Sequence, residues 1–352
     1  MTGKPAHISR MRAYFGFLTA LIYFFAANSV ASHSAAGLVN RDWSPLVSQS
    51  MLVFLLIFGF SAFGILFHHQ QNAIREQGLP IRKGMADEAG IGIAVGWGIA
   101  VFSVVVLALF GGIAIVLNMQ PAAWFWLLPD AAFFAVAALA EEVAFRGYPF
   151  QCFVETVGPL GASLAFAVLY AGLESLRPGS NTISFAVSIV FSLVLSLAYQ
   201  RTRALWVGWG INFGWKASRA LLFGLVVSGV SAHSSVVEGD PMGPLRVTGG
   251  GFGLDASWLS FILFLIALPL VYRLTRDLDF RFNAPVIIPG GFPVDLEAAA
   301  RSQHEQVTRS AMDSPSAPAT LVQIAPAVSH AVPTPVATSP SVPDSPSEEP
   351  TS

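Results

Sequence analysis

The sequence predicts an all-α polytopic membrane protein with about eight transmembrane helices. Charged residues make up only 11% of the 352 residues, against roughly 25% in a soluble domain, and apolar residues make up 54%. The net charge of −2 offers no electrostatic footprint for a nucleic acid. The one cysteine, Cys152, excludes a disulfide framework and a thiolate metal cluster. Together these features exclude a disordered chain, a nucleic-acid binder and an ordinary soluble enzyme, and they make membrane lipid the expected surroundings.

Eight apolar stretches approach the roughly 20 residues that a helix needs to cross a bilayer. They lie at 13–31, 51–68, 91–118, 122–145, 159–173, 182–199, 204–225 and 257–273. The first stretch also resembles a signal peptide, because basic residues precede its apolar run, and cleavage would leave seven spans. We interpret it as a span because the run is long and rich in aromatic residues.

The basic residues of the loops predict the orientation. With eight spans both termini lie on one side, and that side carries twelve Lys and Arg residues, whereas the other carries Arg41, Arg177 and Arg246. Short loops rich in Lys and Arg stay in the cytoplasm. The sequence therefore predicts a multi-pass protein of the cell membrane with both termini cytoplasmic.

Composition divides the chain into an N-terminal three-span region at 1–120, a core at 121–282 and a tail at 283–352. Residues 301–352 hold 9 of the 23 prolines and 10 serines. A segment of this composition buries too little apolar surface to offset the conformational entropy that ordering would cost. We expect a disordered cytoplasmic tail. The glycine-rich run at 249–253 lies in a loop between spans, where flexibility or a tight turn explains it without a ligand.

Ionisable residues inside the apolar stretches are the candidate functional residues, since a charge near the bilayer centre costs at least about 3 kcal/mol. Glu141, Glu142 and Arg146 end the fourth stretch, and Lys216 lies in the seventh. On a helix Glu142 and Arg146 are four apart and can pair, whereas Glu141 points about 100° away. Glu141 is then available as a general base for water. The alternative is a snorkelling Glu–Arg pair that only marks a helix end, and these residues alone leave both interpretations open.

Residues 141–146 read Glu-Glu-Val-Ala-Phe-Arg, which resembles the first motif, Glu-Glu-x-x-x-Arg, of the CPBP family of intramembrane proteases. That family includes type II CAAX prenyl endopeptidases and bacteriocin-processing or immunity proteins. A helix of small residues from Gly161, a short turn within 197–206 and the glycine-rich loop before the last span are also similar. The resemblance covers about residues 125–275.

The resemblance implies a fold of about eight helices with a polar chamber open to the membrane, and it identifies 121–282 as a CPBP-like protease core. In the family a glutamate of the first motif activates a water that attacks a peptide carbonyl. Two histidines and an asparagine from later helices complete the site. Carried over by position, Glu141 and Glu142 are the glutamates and Arg146 is their structural partner.

Three positions of this chain depart from the family motifs. The motif Phe-x-x-x-His ends here in Tyr170, and the motif His-x-x-x-Asn runs here from Asn212 to Lys216. Tyr170 and Asn212 can still donate hydrogen bonds to an oxyanion, but neither shuttles a proton near neutral pH as imidazole does. The resemblance therefore implies a weakened or inactive site whose positions are Glu141, Glu142, Arg146, Tyr170, Asn212 and Lys216.

Lys216 lies four residues after Asn212 and shares its helical face, which the family geometry directs at the glutamates. Our hypothesis is that Lys216 pairs with Glu141 or Glu142 and converts the water site into a structural salt bridge. The alternative is that Lys216 extends towards a headgroup layer.

No histidine or cysteine lies at helical spacing from the acid pair, so we expect no metal and no cofactor. The histidines are His7, His33, His68, His69, His233, His304 and His330. Arg219 and Glu174 are expected either in the chamber or at its rim.

Three functions remain open from the sequence. The first is an intramembrane endopeptidase with Glu141 as base, and the second is a non-catalytic member that binds a hydrophobic or lipidated peptide or a membrane protein. A transporter or channel would use the buried charges as an ion path, but the spans lack a duplicated half with paired broken helices. The residues favour the non-catalytic or weakened version, with no nucleic-acid partner and no indication of oligomeric state.

Overall fold

The computed structural model describes residues 6–276 apart from Gln71, Gly111 and Ser235, together with Leu278 and Glu305. The tail expected at 283–352 therefore lies outside the described residues except for Glu305. The division of the chain at 120/121 and 282/283 stays a prediction.

The described residues are mostly helical. The elements in chain order are α1 Ala6–Leu38, α2 Ser44–His68, α3 Ala73–Glu76, α4 Met85–Leu109, β1 Ile113–Leu117, α5 Pro121–Arg146, α6 Tyr148–Glu174, α7 Thr182–Thr202, α8 Trp206–Ala217, β2 Val237–Pro241, α9 Leu245–Thr248 and α10 Trp258–Leu274. A π-helical turn, Ser218–Leu222, continues α8, and two 3₁₀ turns, Gly250–Phe252 and Leu254–Ala256, precede α10. The all-α polytopic membrane fold is thus confirmed.

Five helical stretches of the described residues are long and apolar enough to cross a membrane. They are Met11–Leu38, Ser44–His68, Met85–Leu109, Pro121–Glu174 and Thr182–Thr202, of which the fourth has 54 residues and contains both α5 and α6. α10 is apolar but shorter, and α8 has 12 residues, fewer than a straight span needs. The count of eight spans therefore stays a prediction.

Two expected spans have different boundaries in the structure. The third, expected at 91–118, ends as a helix at Leu109, and its last residues instead form β1, which pairs antiparallel with β2. The β-branched residues of 113–116 suit a strand as well as a buried helix, so apolarity alone does not separate the two. The fifth, expected at 159–173, is the second half of α6, which breaks at Gly158 because Pro159 cannot continue the hydrogen-bond ladder.

Close packing against α4 positions α8, which lies in the seventh apolar stretch, 204–225. A side chain added at Gly92 or Gly96 of α4 would collide with the backbone of α8, and one added at Gly210 or Gly214 would collide with α4. Glycines four residues apart form a smooth surface on which two backbones approach. The short α8 is thereby fixed along α4, while α5 and α7 pack against its other sides.

Helix α7 begins at a capping box. The Asn181 side chain accepts hydrogen bonds from the backbone of Ile183 and Ser184, and the Ser184 hydroxyl accepts one from the Asn181 backbone. Such a box satisfies otherwise unpaired donors of the first turn. It therefore fixes where α7 begins, and the buried face of α7 packs against α6 and α10.

Candidate functional site

Lys216 and Glu141 form an ion pair between α8 and α5. The Lys216 ammonium lies 2.5 Å from Glu141 Oε1 and 2.6 Å from Oε2, and the Lys216 side chain is 9% exposed while that of Glu141 is 18% exposed. The expected approach of Lys216 to the acid pair is confirmed, and Glu141 rather than Glu142 is its partner.

Two further side chains donate to the same carboxylate. Asn212 Nδ2 lies 2.9 Å from Glu141 Oε2, and the Tyr170 hydroxyl lies 3.3 Å from that oxygen. Asn212 is one turn before Lys216 on α8, and Tyr170 comes from α6. Tyr170, Asn212 and Lys216 therefore all contact Glu141.

Glu142 makes a separate buried pair. Its Oε1 lies 3.3 Å from Arg146, one turn later on α5, and both side chains are inaccessible to solvent. Arg146 also donates to Ser192 of α7, at 3.0 Å to the carbonyl oxygen and 2.6 Å to the hydroxyl. The expected Glu142–Arg146 pairing is confirmed, and its link to α7 identifies Arg146 as a structural bridge between helices.

Two acceptors beside these pairs have no hydrogen-bond partner among the described residues. They are Glu142 Oε2 and Asn212 Oδ1, both buried. A buried acceptor without a partner costs about 1–3 kcal/mol, so this is the least satisfied part of the acid site. It lies against Gly208 of α8, where an added Cβ would come 2.6 Å from Glu142 Oε2.

Gly208→Ala is expected to destabilise the protein by about 1–3 kcal/mol, because the added methyl must displace a fully buried carboxylate that Arg146 holds. The measurement is the free energy of unfolding of the purified protein in detergent. Gly98→Ala on α4 is the matched control, since its Cβ would meet nothing within 4 Å and alanine favours the helix. Equal stability of the two variants would contradict the close packing of Glu142.

Glu141 and Lys216 line a cavity of about 270 Å³. Glu174 and Arg177, whose side chains are 3.0 Å apart, lie on the same wall. Most of the remaining wall is apolar, formed by residues such as Phe24, Phe133, Phe134, Phe145 and Val227. The arrangement is a small chamber with an apolar lining and two ion pairs, which suits a largely apolar ligand with a few polar groups.

Glu174 and Arg219, each expected either in the chamber or at its rim, have different positions in the structure. Glu174 lines the chamber, whereas Arg219 lies behind it, fully buried, and forms an ion pair of 2.9 Å with Asp255. Burial would raise the pKa of the Asp255 carboxyl, but Arg219 and the hydrogen bonds from Arg219 and Trp215 hold it below its ordinary value. These contacts favour the ionised form of Asp255.

Two histidines have partners other than the acid pair. His233 Nδ1 lies 3.0 Å from Asp130, and His68 Nε2 lies 3.7 Å from the sulfur of Cys152. Within the described part of the chain, no group of three or more His, Cys, Asp and Glu residues is close enough to hold a metal ion.

Sequence reasoning missed Ser192 and Asp255. Ser192 belongs to a buried stripe of serines at four-residue intervals on α7, which comprises Ser184, Ser188, Ser192 and Ser196. That stripe is a visible signal for a polar seam facing another helix. Asp255 is a lone acid between a glycine-rich loop and the last span, and this pattern by itself does not distinguish it from a solvated loop residue.

At this site the charge of the Glu141 carboxylate is balanced by the Lys216 ammonium. Glu141 Oε1 accepts from Lys216, and Oε2 accepts from Lys216, Asn212 and Tyr170. A proton taken from water would neutralise the carboxylate and leave the Lys216 ammonium charged and unpaired in a mostly apolar cavity, which is strongly unfavourable. Lys216, Asn212 and Tyr170 are thus all engaged by Glu141.

Comparison with known proteins gives a family match for part of the chain. Residues 120–218 match the family model described as Type II CAAX prenyl endopeptidase Rce1-like, while no curated protein and no solved structure matches the chain. The match runs from one residue before α5 to one residue after α8. The sequence motifs indicated a resemblance over about residues 125–275, and the last part of that range, 219–275, lies outside the match. With the five apolar helices, the match supports a multi-pass membrane protein. Residues 120–218, which carry all six candidate site residues, are thus similar to the Rce1-like type II CAAX prenyl endopeptidases.

Proposed function

We propose that the chain is a catalytically silenced or strongly weakened relative of the intramembrane endopeptidases, which binds a hydrophobic or lipidated peptide in its chamber without cutting it at an appreciable rate. The observation that carries this proposal is the ion pair between Lys216 and Glu141. It occupies the carboxylate that the family resemblance makes the water-activating base.

The replaced motif residues support the proposal independently of the ion pair. A hydrolase of this kind needs a base for water and free donors for the oxyanion, and loss of one oxyanion donor alone typically lowers the rate about 10²- to 10³-fold. Here Tyr170 and Asn212 stand where the family has histidines, and both already donate to Glu141. Neither side chain supplies a proton shuttle near neutral pH.

The chamber supports binding. Its volume of about 270 Å³ and its largely apolar wall suit part of an aliphatic or aromatic segment, because removal of apolar area from water contributes about 25 cal/mol per Å². As part of the proposal, the protein lies in the cell membrane with both termini in the cytoplasm, which rests on the twelve-to-three distribution of basic residues.

A cleavage and binding assay on the purified protein in lipid tests the proposal. A panel of fluorescent lipidated and non-lipidated peptides is incubated with the wild-type protein and with Glu141→Ala. We expect saturable binding of at least one hydrophobic peptide and no product above that of Glu141→Ala.

Cleavage by the wild-type protein that Glu141→Ala abolishes would contradict the silenced function and establish an active endopeptidase. Absence of binding across the panel, together with transport of a labelled ion by reconstituted protein, would indicate the transporter or channel class instead.

A further inference from the structure

One wall of the chamber is formed by a loop rather than by a membrane-spanning helix. Val227, Ser228 and Val230 line the cavity and belong to the connection between the π-helical turn after α8 and strand β2. We call residues 227–230 the wall loop. Since it contributes side chains to the cavity, its position decides whether the chamber is closed on that side.

Asp255 holds the wall loop through two hydrogen bonds. Its Oδ2 accepts from the Ser228 backbone at 2.9 Å and from the Ser228 hydroxyl at 3.0 Å. Ser228 has a φ of 47°, a left-handed conformation that is uncommon for a residue other than glycine. Such a conformation persists only where the surroundings impose it, and here the two bonds to Asp255 act together with the reciprocal backbone bonds between Val227 and Val230.

The same carboxylate holds the helix end that carries Lys216. The Trp215 indole donates to Asp255 Oδ1 at 2.9 Å, and the Arg219 guanidinium lies 2.9 Å from the same oxygen and 3.1 Å from Oδ2. Arg219 also lies over the Trp215 ring, 3.9 Å from its centre. Trp215 directly precedes Lys216, so Asp255 joins the wall loop to the segment that positions the ion pair.

The segment around Asp255 is itself fixed. Gly253, two residues earlier, has a φ of 84°, and a side chain there would collide with the carbonyl oxygen of Val226. Gly253 also forms an isolated β-bridge with Val227. Of the two explanations expected for 249–253, flexibility or a tight turn, the structure shows a turn. This turn brings the chain close enough to the wall loop for Asp255 to reach Ser228.

We propose that Asp255 is a positioning residue of the chamber: its carboxylate holds the wall loop closed against the end of α8, so that access to the Glu141–Lys216 pair depends on it. This rests on the chamber of the proposed function being a ligand site, although closure of the loop can be measured without any ligand. Replacing the carboxylate by an amide removes the ion pair with Arg219. In either orientation the amide presents a donor to a group that already donates, Ser228 on one side or Trp215 and Arg219 on the other.

Thiol labelling tests this in the full chain. Val227→Cys places a thiol on the wall loop, where the native side chain is 4% exposed, and the native Cys152, 2% exposed, reports loosening elsewhere in the molecule. The purified protein in lipid is treated with a small water-soluble thiol reagent, and mass spectrometry of peptides gives a separate labelling rate for each cysteine. The variant is Asp255→Asn, and the matched control is Asp240→Asn, an exposed acid on β2.

We expect Asp255→Asn to raise the labelling rate at residue 227 at least about tenfold, because several hydrogen bonds to a charged group are lost. Labelling of Cys152 should stay unchanged, and Asp240→Asn should change neither rate. Ser228→Ala, which removes only the hydroxyl bond, should raise the rate at residue 227 about threefold, and it keeps the test decisive where Asp255→Asn does not fold.

An unchanged rate at residue 227 in a folded Asp255→Asn variant would overturn the proposal, as would an equal rise at both cysteines, since that would indicate a general structural role. Should residue 227 respond as expected while no peptide binds to any variant, the positioning role stands and the proposed ligand fails. Should the wild type bind peptide while residue 227 does not respond, the positioning role fails and the proposed function stands.

Discussion

A variant with Tyr170→His, Asn212→His and Lys216→Asn is expected to cleave peptides at least about 10²-fold faster than the wild-type protein. The change frees Glu141 from the ammonium that lies 2.5 Å away and introduces two imidazoles, which can donate to an oxyanion and shuttle protons. All three substituted residues contact Glu141, so the new side chains project towards the same carboxylate. The measurement is product formation from the lipidated peptide panel in lipid.

The matched control adds Glu141→Ala to the same triple variant and should return the rate to background. This control separates hydrolysis by the restored site from cleavage by a contaminating protease. A folded triple variant that cleaves no faster than wild type would contradict the view that these three side chains silence the site.

Lys216→Met alone is expected to destabilise the protein by about 3–5 kcal/mol, because it leaves Glu141 as a mostly buried carboxylate without its cation. Methionine keeps the length and most of the apolar stem of lysine, so lost packing contributes little. The free energy of unfolding is measured in detergent. Lys83→Met, at an exposed position, is the control and should stay within about 0.5 kcal/mol of wild type.

Much of the site could be predicted from the sequence because its chemistry is local or repeated at helical spacing. Glu142 and Arg146 are four apart on one helix, and so are Asn212 and Lys216, so their shared faces follow from helix geometry. That Lys216 meets Glu141 across two helices does not follow from spacing. It required the resemblance of residues 141–146 to a family motif, and the choice between the two glutamates came only from the structure.

The parts that could not be predicted depend on tertiary contacts. The strand at Ile113–Leu117 exists because β2, more than 100 residues later, supplies its hydrogen-bond partners. Judged from the sequence without that partner, the same apolar residues are predicted to continue the preceding helix. Asp255 acquires its role because the glycine-rich turn brings it to Ser228 and Arg219. Neither neighbour is close in sequence, so no local pattern identifies the contact.

The coupling energy between Lys216 and Glu141 tests the central claim, that these two side chains form a structural ion pair in place of a water site. Unfolding free energies of the wild type, Lys216→Met, Glu141→Gln and the double variant give this quantity as a double-mutant cycle. We expect a favourable coupling of at least about 1.5 kcal/mol, with the double variant more stable than Lys216→Met. A coupling within about 0.5 kcal/mol of zero would contradict the ion pair and, with it, the silencing of Glu141.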